Sequence, residues 1–145
     1  METFEMEVTR WVEKAKARSN AALLAIAQDA LARVKELTPV RTGNLRANWQ
    51  VVVAGDEAEV MRLSATATYV PPTENAAPLS FKIGDTLLIM NPVVYARRIE
   101  FGYVGTDSRG RAYHQDGRGM MQQVIAEMPR IAEKAVRRIA REGAP

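Results

Sequence analysis

The stretch Thr38-Pro-Val-Arg-Thr-Gly-Asn-Leu-Arg46 separates a helical part of the chain from a part with mixed structure. Its proline disfavours helical backbone in the residue before it, so a helix that arrives from the N-terminal side is expected to end here. The Thr42 hydroxyl can cap a new helical turn, and Gly43 allows a tight reversal of the chain. Leu45 and Trp49 stand four residues apart and can form an apolar pair on that turn. The stretch therefore predicts a corner between a long helix and a sheet.

The residues before this corner have the pattern of one long helix. From Glu2 to Leu37 apolar side chains recur mostly three or four positions apart, and no glycine or proline interrupts them. Such a helix is about 50 Å long, which exceeds the width of a compact domain of this size. We therefore expect part of the helix to project from the fold and to need a partner.

After the corner the apolar residues begin to alternate with polar ones. Trp49–Val53 is rich in residues that favour strands, and Glu59–Val70 alternates between an apolar and a polar face. Phe81–Ile83 and Thr86–Met90 flank Gly84-Asp85, which can form the two-residue turn of a hairpin. These segments predict a small antiparallel sheet with short connections.

A second patterned segment, Tyr95-Ala-Arg-Arg-Ile-Glu-Phe-Gly102, predicts a short helix. Asn91-Pro92 can start it, and its final glycine can end it. Glu100 falls in the last turn of this helix, where a carboxylate opposes the helix dipole. Arg46 is likewise a charge that a simple corner does not need. We therefore expect an ion pair between Arg46 and Glu100.

The last third of the chain predicts a loop followed by a second helix. Residues 102–119 contain five of the nine glycines and read as a long flexible loop, either an inert surface loop or one that a partner orders. Arg109, Arg111 and Arg118 are the expected contacts if that partner is acidic. Met120–Glu142 has helical spacing. The whole pattern predicts one α+β domain over residues 1–145, with a long N-terminal helix and a C-terminal helix packed on a small antiparallel β-sheet.

The composition of the 145 residues argues against several classes of protein. No cysteine occurs, which excludes disulfides and thiolate ligands. His114, close to Asp116, is the single histidine, and no nucleophile elbow, dinucleotide fingerprint or phosphate-binding loop accompanies it. We therefore expect no enzyme and no catalytic, cofactor-binding or metal-binding residues. The acidic first residues are unlike a signal peptide, and no apolar run reaches membrane-spanning length, so we expect a protein made in the cytoplasm.

The two patterned segments, in this order, resemble the tail-completion or neck proteins of tailed bacteriophages. This group includes the minor-tail-protein-Z-like proteins that join head to tail. The resemblance rests on Thr38, Pro39, Thr42, Gly43, Leu45, Arg46, Trp49, Tyr95, Ala96, Ile99, Glu100, Phe101 and Gly102. The chain departs from the family pattern at two positions. Arg41 stands where the family often has an acidic residue, and Tyr103 stands where a threonine tends to follow the glycine.

The resemblance implies a structural virion component, made in the cytoplasm of the bacterial host. It would join head to tail, or complete the tail, as part of a ring of identical subunits. Its partners would be other phage neck and tail proteins, with non-specific contact to packaged DNA. The projecting helix, residues 70–80 and the 102–119 loop are the expected assembly surfaces.

Two alternative interpretations remain. The second in order is an enzyme built around His114. The first is a basic nucleic-acid-binding module that acts through the 102–119 loop and the C-terminal helix. Residues 93–145 carry 10 basic and 6 acidic side chains, a net charge of +4. Such a surface can contact phosphates without reading sequence.

Overall fold

The computed structural model describes residues 3–55, residue 81 and residues 83–142. In chain order the elements are helix α1 (Phe4–Leu37), helix α2 (Asn44–Ala47), strand β1 (Gln50–Val53), strand β2 (Leu87–Met90), helix α3 (Ala96–Phe101), strand β3 (Gly102–Thr106), strand β4 (Ala112–Asp116) and helix α4 (Met120–Glu142). The long first helix, the C-terminal helix and the small antiparallel sheets confirm the predicted α+β fold. The expected strand Glu59–Val70 and residues 70–80 lie outside the described residues.

Helix α1 runs unbroken from Phe4 to Leu37, which confirms the predicted long helix. The Thr3 hydroxyl caps its start by accepting the Met6 backbone N–H at 3.3 Å. The helix ends at Thr38, whose extended backbone (φ −79°, ψ 125°) is the conformation that a following proline favours. Its 34 residues span about 51 Å.

Only the second half of α1 contributes buried residues. Residues 3–11 are exposed throughout, and the first buried residue along the helix is Ala25. Phe4 and Trp11 are 81% and 71% exposed, although large apolar side chains usually lie inside a fold. The expected projection of α1 is therefore confirmed, and its fully exposed part, residues 4–11, spans about 12 Å of helix.

Helices α1 and α4 pack against each other in opposite directions. Arg33 pairs with Glu127, whereas Asp29, one turn earlier on α1, pairs with Arg138, which lies later on α4. The buried cluster that includes their contact consists of Ala30, Val34, Leu45, Trp49, Met120 and Val124. Its fully buried methionine and valines each contribute about 1.5–3 kcal/mol relative to exposed side chains.

The corner after α1 is held by a buried hydrogen-bonded pair. The Thr38 hydroxyl donates to the Val34 carbonyl at 2.6 Å and accepts the Trp49 indole N–H at 2.8 Å. Both side chains are buried, so each polar atom needs a partner inside the protein. This one hydroxyl therefore joins the end of α1 to the start of β1.

Strands β1 and β2 form an antiparallel pair, with Gln50 opposite Met90. The predicted strands around residues 49–53 and 86–90 are therefore confirmed. The predicted hairpin between Phe81–Ile83 and β2 is wrong, because Phe81 and Ile83 lie outside any strand and β2 pairs with β1. The physical reason is that a two-residue hairpin needs extended backbone on both sides of its turn, whereas Ile83 is itself part of the turn with Gly84.

Strands β3 and β4 form a hairpin where we expected a flexible loop, so that expectation is wrong. Tyr103 stands opposite Gln115, and Gly105 stands opposite Tyr113. The turn closes through the Asp107 carboxylate, which accepts the backbone N–H groups of the residues two and four positions later, both at 2.9 Å. The glycines of this segment therefore serve turns and close contacts rather than flexibility.

Candidate functional site

An open cleft of about 1010 Å³ lies where the two patterned segments meet the β3–β4 hairpin. Residues 39–43 line it after the corner, and Tyr95 and Ile99 line it beside α3. The Asn44 side-chain amide donates to the Tyr95 hydroxyl at 3.1 Å, across 51 positions of sequence. The structure therefore brings the two segments together at one site.

Aromatic rings from the hairpin line the same cleft. The ring centroids of Tyr103 and Tyr113 are 6.1 Å apart, with ring planes inclined at 39°. The Arg98 guanidinium lies 4.2 Å from the centroid of the Tyr103 ring, a cation–π geometry. A Cβ atom at Gly105 would collide with the Tyr103 ring, so glycine at this position provides the space for the ring. We call Tyr95, Tyr103 and Tyr113 the cleft tyrosines.

The cleft carries excess positive charge. Arg41, Arg98 and Arg118, which we call the cleft arginines, line it. None of the three has a carboxylate partner among the described residues. Asp107 also lines the cleft, but its carboxylate already pairs with Arg111 at 2.7 Å. The hydrogen bond from the Arg111 backbone N–H, opposed by burial, lowers the pKa of Asp107, so this carboxyl group stays ionised at neutral pH.

The Glu100 side chain has a role that differs from the expected one. Its two carboxylate oxygens accept the backbone N–H groups of Met121 and Gln122, both at 3.0 Å. Glu100 therefore caps the start of α4, where free N–H groups and the helix dipole stabilise a negative charge. Arg46 is exposed and makes no ion pair with it, so the expected Arg46–Glu100 pair is wrong. The reason is that two backbone donors meet the needs of this buried carboxylate.

Comparison with known families agrees with this geometry. Residues 2–102 match the family model described as "Bacteriophage HK97-gp10, putative tail-component". The chain belongs to this HK97-gp10-like family. No match was found among curated proteins or among solved structures.

Membership makes the chain a bacteriophage tail component, with a place in the virion and contacts to other phage tail proteins. The matched range ends at Gly102 and thus includes both patterned segments, whereas most of the hairpin and all of α4 follow it. Arg41 and Tyr103, the two departures from the motif, both line the cleft. The cleft therefore combines motif residues with residues outside the motif.

The motif residues occupy three kinds of position. The buried ones are Thr38, Leu45, Trp49 and Glu100, and Ala96 and Ile99 pack against the core. The ones that line the cleft are Pro39, Thr42, Gly43, Leu45, Tyr95 and Ile99. Arg46 and Phe101 are exposed, and Gly102 ends α3 with a positive φ of 85°. The Thr42 hydroxyl accepts the Asn44 backbone N–H at 3.3 Å, but the residue at the N-cap of α2 is Gly43, so the expected capping role of Thr42 is wrong.

The three arginines expected to bind an acidic partner do not form one cluster. Arg109 lies in the hairpin turn, and Arg111 follows the turn, where it pairs with Asp107. Arg118 lies at the opposite end of β4 and lines the cleft. The cleft tyrosines and Arg98 were missed as partner contacts. One signal could have found Tyr103. It stands two residues before Gly105, so in a strand both lie on the same face and the glycine leaves space for the ring.

His114 stands apart from the cleft. It neighbours Tyr113 and Gln115 along β4, both of which line the cleft, so its side chain is on the other face of the hairpin. Its Nε2 lies 2.8 Å from an Asp116 carboxylate oxygen, and both side chains are exposed.

Within the described residues no group of three or more histidine, cysteine or carboxylate side chains could hold a metal ion. None of the described helices is both long and apolar enough to cross a membrane.

Proposed function

We propose that this tail component is a structural subunit of a ring that joins the phage head to the tail or completes the tail. A closed ring of identical subunits needs two different, complementary patches on each subunit. The observation that carries the proposal is that the fold offers two such unlike features, the projecting half of α1 and the open cleft. The subunit would stand at the head–tail junction or at the tail end, in contact with other neck and tail proteins.

We also propose that residues 1–145 act as one domain without enzymatic activity, cofactor or metal. One buried cluster draws its side chains from α1, α2 and α4. Glu100 ties α3 to the start of α4 through two hydrogen bonds. In this proposal the motif residues hold the scaffold, and the residues around the cleft make the contacts.

The test removes the protein from a phage or prophage that encodes it. We expect electron micrographs to show heads and tails that are not joined, or tails with incomplete ends. Adding the purified protein to such an extract should restore infectious particles. The control is His114→Ala, which should restore them equally well, because a ring subunit does not need an imidazole. Complete and infectious particles assembled without the protein would contradict the proposal.

A second candidate role is non-specific contact with packaged DNA, which a basic stripe on α4 favours. The stripe consists of Arg130, Lys134, Arg137 and Arg141, all exposed. Spacings of four, three and four residues place these side chains on one face of the helix. Such a face could line the lumen of a ring and contact phosphates without reading sequence.

DNA binding by the stripe can be measured as a function of salt. Replacing Arg130, Lys134 and Arg141 by alanine should reduce the slope of log K against log salt by about 0.9 for each phosphate that the stripe no longer neutralises. Unchanged slopes would exclude the stripe as the DNA-binding surface. Tight binding by the isolated monomer, falling steeply with salt, would instead favour the nucleic-acid-binding module over the ring.

A further inference from the structure

The exposed start of α1 has the chemistry that complements the cleft. Phe4, Val8 and Trp11 are spaced by four and three residues, so they lie on one face of the helix, and all three are exposed. Glu5 and Glu7 stand among them in the first turns, and neither has a basic partner in the part of the chain that the structure describes. Arg10 is the one basic residue among residues 3–11, all of which are exposed, so this end of α1 is aromatic and carries a net negative charge.

The cleft offers the matching set of groups. Its three arginines lack carboxylate partners among the described residues, and guanidinium groups bind carboxylates through paired hydrogen bonds. The cleft tyrosines present aromatic surface, on which a phenylalanine or tryptophan ring can pack at tilted angles. An acidic segment with exposed aromatic side chains is the occupant that fits this cleft.

The two complementary features lie at opposite ends of one rigid element. The cleft is lined by residues that directly follow α1, beginning with Pro39, whereas the acidic aromatic end begins at Phe4. An unbroken helix of 34 residues holds these ends about 51 Å apart. A subunit therefore cannot fill its own cleft with its own helix. A second copy of the chain can.

We propose that residues 4–11 of one copy bind in the cleft of a second copy. The Glu5 and Glu7 carboxylates pair with the cleft arginines, and the Phe4 ring packs on the cleft tyrosines. Because the patch and its receptor differ, the contact is head-to-tail and can repeat from subunit to subunit until a ring closes. The inference rests on the proposed ring function, since it names the two patches that such a ring requires.

Disulfide cross-linking tests this contact cleanly, because the chain contains no cysteine of its own. Val8→Cys places a thiol on the exposed face of α1 that carries Phe4 and Trp11, and Ser108→Cys places one at the cleft. His114→Cys is the matched control, on the other face of the same hairpin. Ile125→Cys is a second control, because Ile125 is a strongly exposed apolar residue on α4.

Mixtures of the variants are oxidised both at high protein concentration and within assembled tails. We expect the Val8→Cys and Ser108→Cys pair to form a linked dimer at least about tenfold faster than Val8→Cys paired with either control, because docking raises the local thiol concentration. Absence of this dimer in both settings would overturn the proposal. Equal or faster linkage to Ile125→Cys or His114→Cys would also overturn it.

Charge reversal supplies an independent measurement. Combining Glu5→Arg with Glu7→Arg, or Arg41→Glu with Arg118→Glu, should each remove the cross-link, because like charges then meet. Mixing the two charge-reversed proteins should restore the cross-link. It should join the helix that carries Arg at positions 5 and 7 to the cleft that carries Glu at positions 41 and 118. Circular dichroism checks that both variants fold. Failure to restore the cross-link with folded variants would contradict the charge pairing.

The outcomes separate this inference from the function on which it rests. If the dimer fails to form while particles still require the protein, the docking is wrong and the ring function stands. If particles are complete without the protein, the ring function itself is wrong, whatever the cross-links show.

Discussion

At the scale of single residues, the Thr38 hydroxyl is the group on which the corner most depends. It is buried, donates to the Val34 carbonyl and accepts the Trp49 indole N–H. A change that keeps its shape but removes the oxygen leaves the indole N–H buried without an acceptor. The cost of such a group is larger than the net value of an ordinary hydrogen bond.

We predict that Thr38→Val lowers the free energy of unfolding by about 1–3 kcal/mol, because it leaves a buried donor unsatisfied. Urea unfolding followed by tryptophan fluorescence measures this change. The control is Thr42→Val, where the hydroxyl is exposed and makes one longer bond of 3.3 Å. Thr42→Val should cost less than about 1 kcal/mol. Equal losses in the two variants would contradict the role given to Thr38.

Glu100 is the second residue with a decisive interaction. We predict that Glu100→Gln lowers the free energy of unfolding by about 1–2 kcal/mol, because it removes the negative charge at the start of α4. Arg46→Ala should change it by less than about 0.5 kcal/mol. Denaturant unfolding of both variants and the double variant measures the coupling. Additive losses are expected, and a strong coupling would show that the two side chains interact after all.

At the scale of elements, two ion pairs link α1 to α4. Arg33 makes two hydrogen bonds to Glu127, at 2.8 and 3.0 Å, and Arg138 makes two to Asp29, at 3.0 and 3.2 Å. These pairs border the apolar contact and set how the two helices align along each other. Both are partly exposed, so their worth in stability is modest.

The Arg33–Glu127 pair makes stability depend on pH. The hydrogen bond from Arg33 lowers the pKa of Glu127 below its ordinary value of 4.5. The stability from this pair is therefore present above the unfolded-state pKa and is lost as pH falls through the folded-state value. We predict that Glu127→Gln lowers the melting temperature at pH 7, and that the difference from the unaltered protein shrinks steadily below about pH 4.

Thermal unfolding followed by circular dichroism at several pH values checks this dependence. Glu133→Gln is the matched control, because Glu133 pairs with Arg137 on the same helix and both side chains are largely exposed. It should change the melting temperature less than Glu127→Gln does at pH 7. A difference for Glu127→Gln that persists unchanged at acid pH would contradict the assigned role.

At the scale of the whole molecule, the buried part of α1 and its exposed end are separate regions. The buried cluster lies between the second half of α1 and α4, whereas residues 3–11 are exposed. Substitutions at the two ends of α1 should therefore have different effects. Those in the buried half should impair folding, and assembly with it, whereas those in the exposed half should impair assembly alone.

We predict that the double variant Phe4→Ser, Trp11→Ser changes the free energy of unfolding by less than about 0.5 kcal/mol, because both side chains are exposed. The same variant should be unable to restore tail assembly in an extract. Val34→Ala provides the contrast, since Val34 is fully buried and its truncation should cost about 1–3 kcal/mol. A Phe4, Trp11 double variant that assembles normally would contradict the proposed docking.

Features that depend on neighbouring residues were predictable from the sequence. The course of α1, its end before Pro39 and the strands around residues 49–53 and 86–90 were predicted, as was the glycine end of α3. Each follows from helical or strand spacing and from the backbone limits of proline and glycine, which act within a few positions. The family could also be reached in this way, because its motifs are short and local.

Features that depend on distant residues were decided by the tertiary structure. Within α3 alone, the position of Glu100 is unfavourable for a carboxylate. The start of α4 lies beside it and supplies two backbone donors. The composition of the glycine-rich segment predicts flexibility, but its two halves pair with each other as strands. The cleft exists only because α3, the corner and the hairpin meet. The reason is physical: short-range sterics decide where helices and strands begin and end, whereas partners and concave surfaces arise only when such elements pack together.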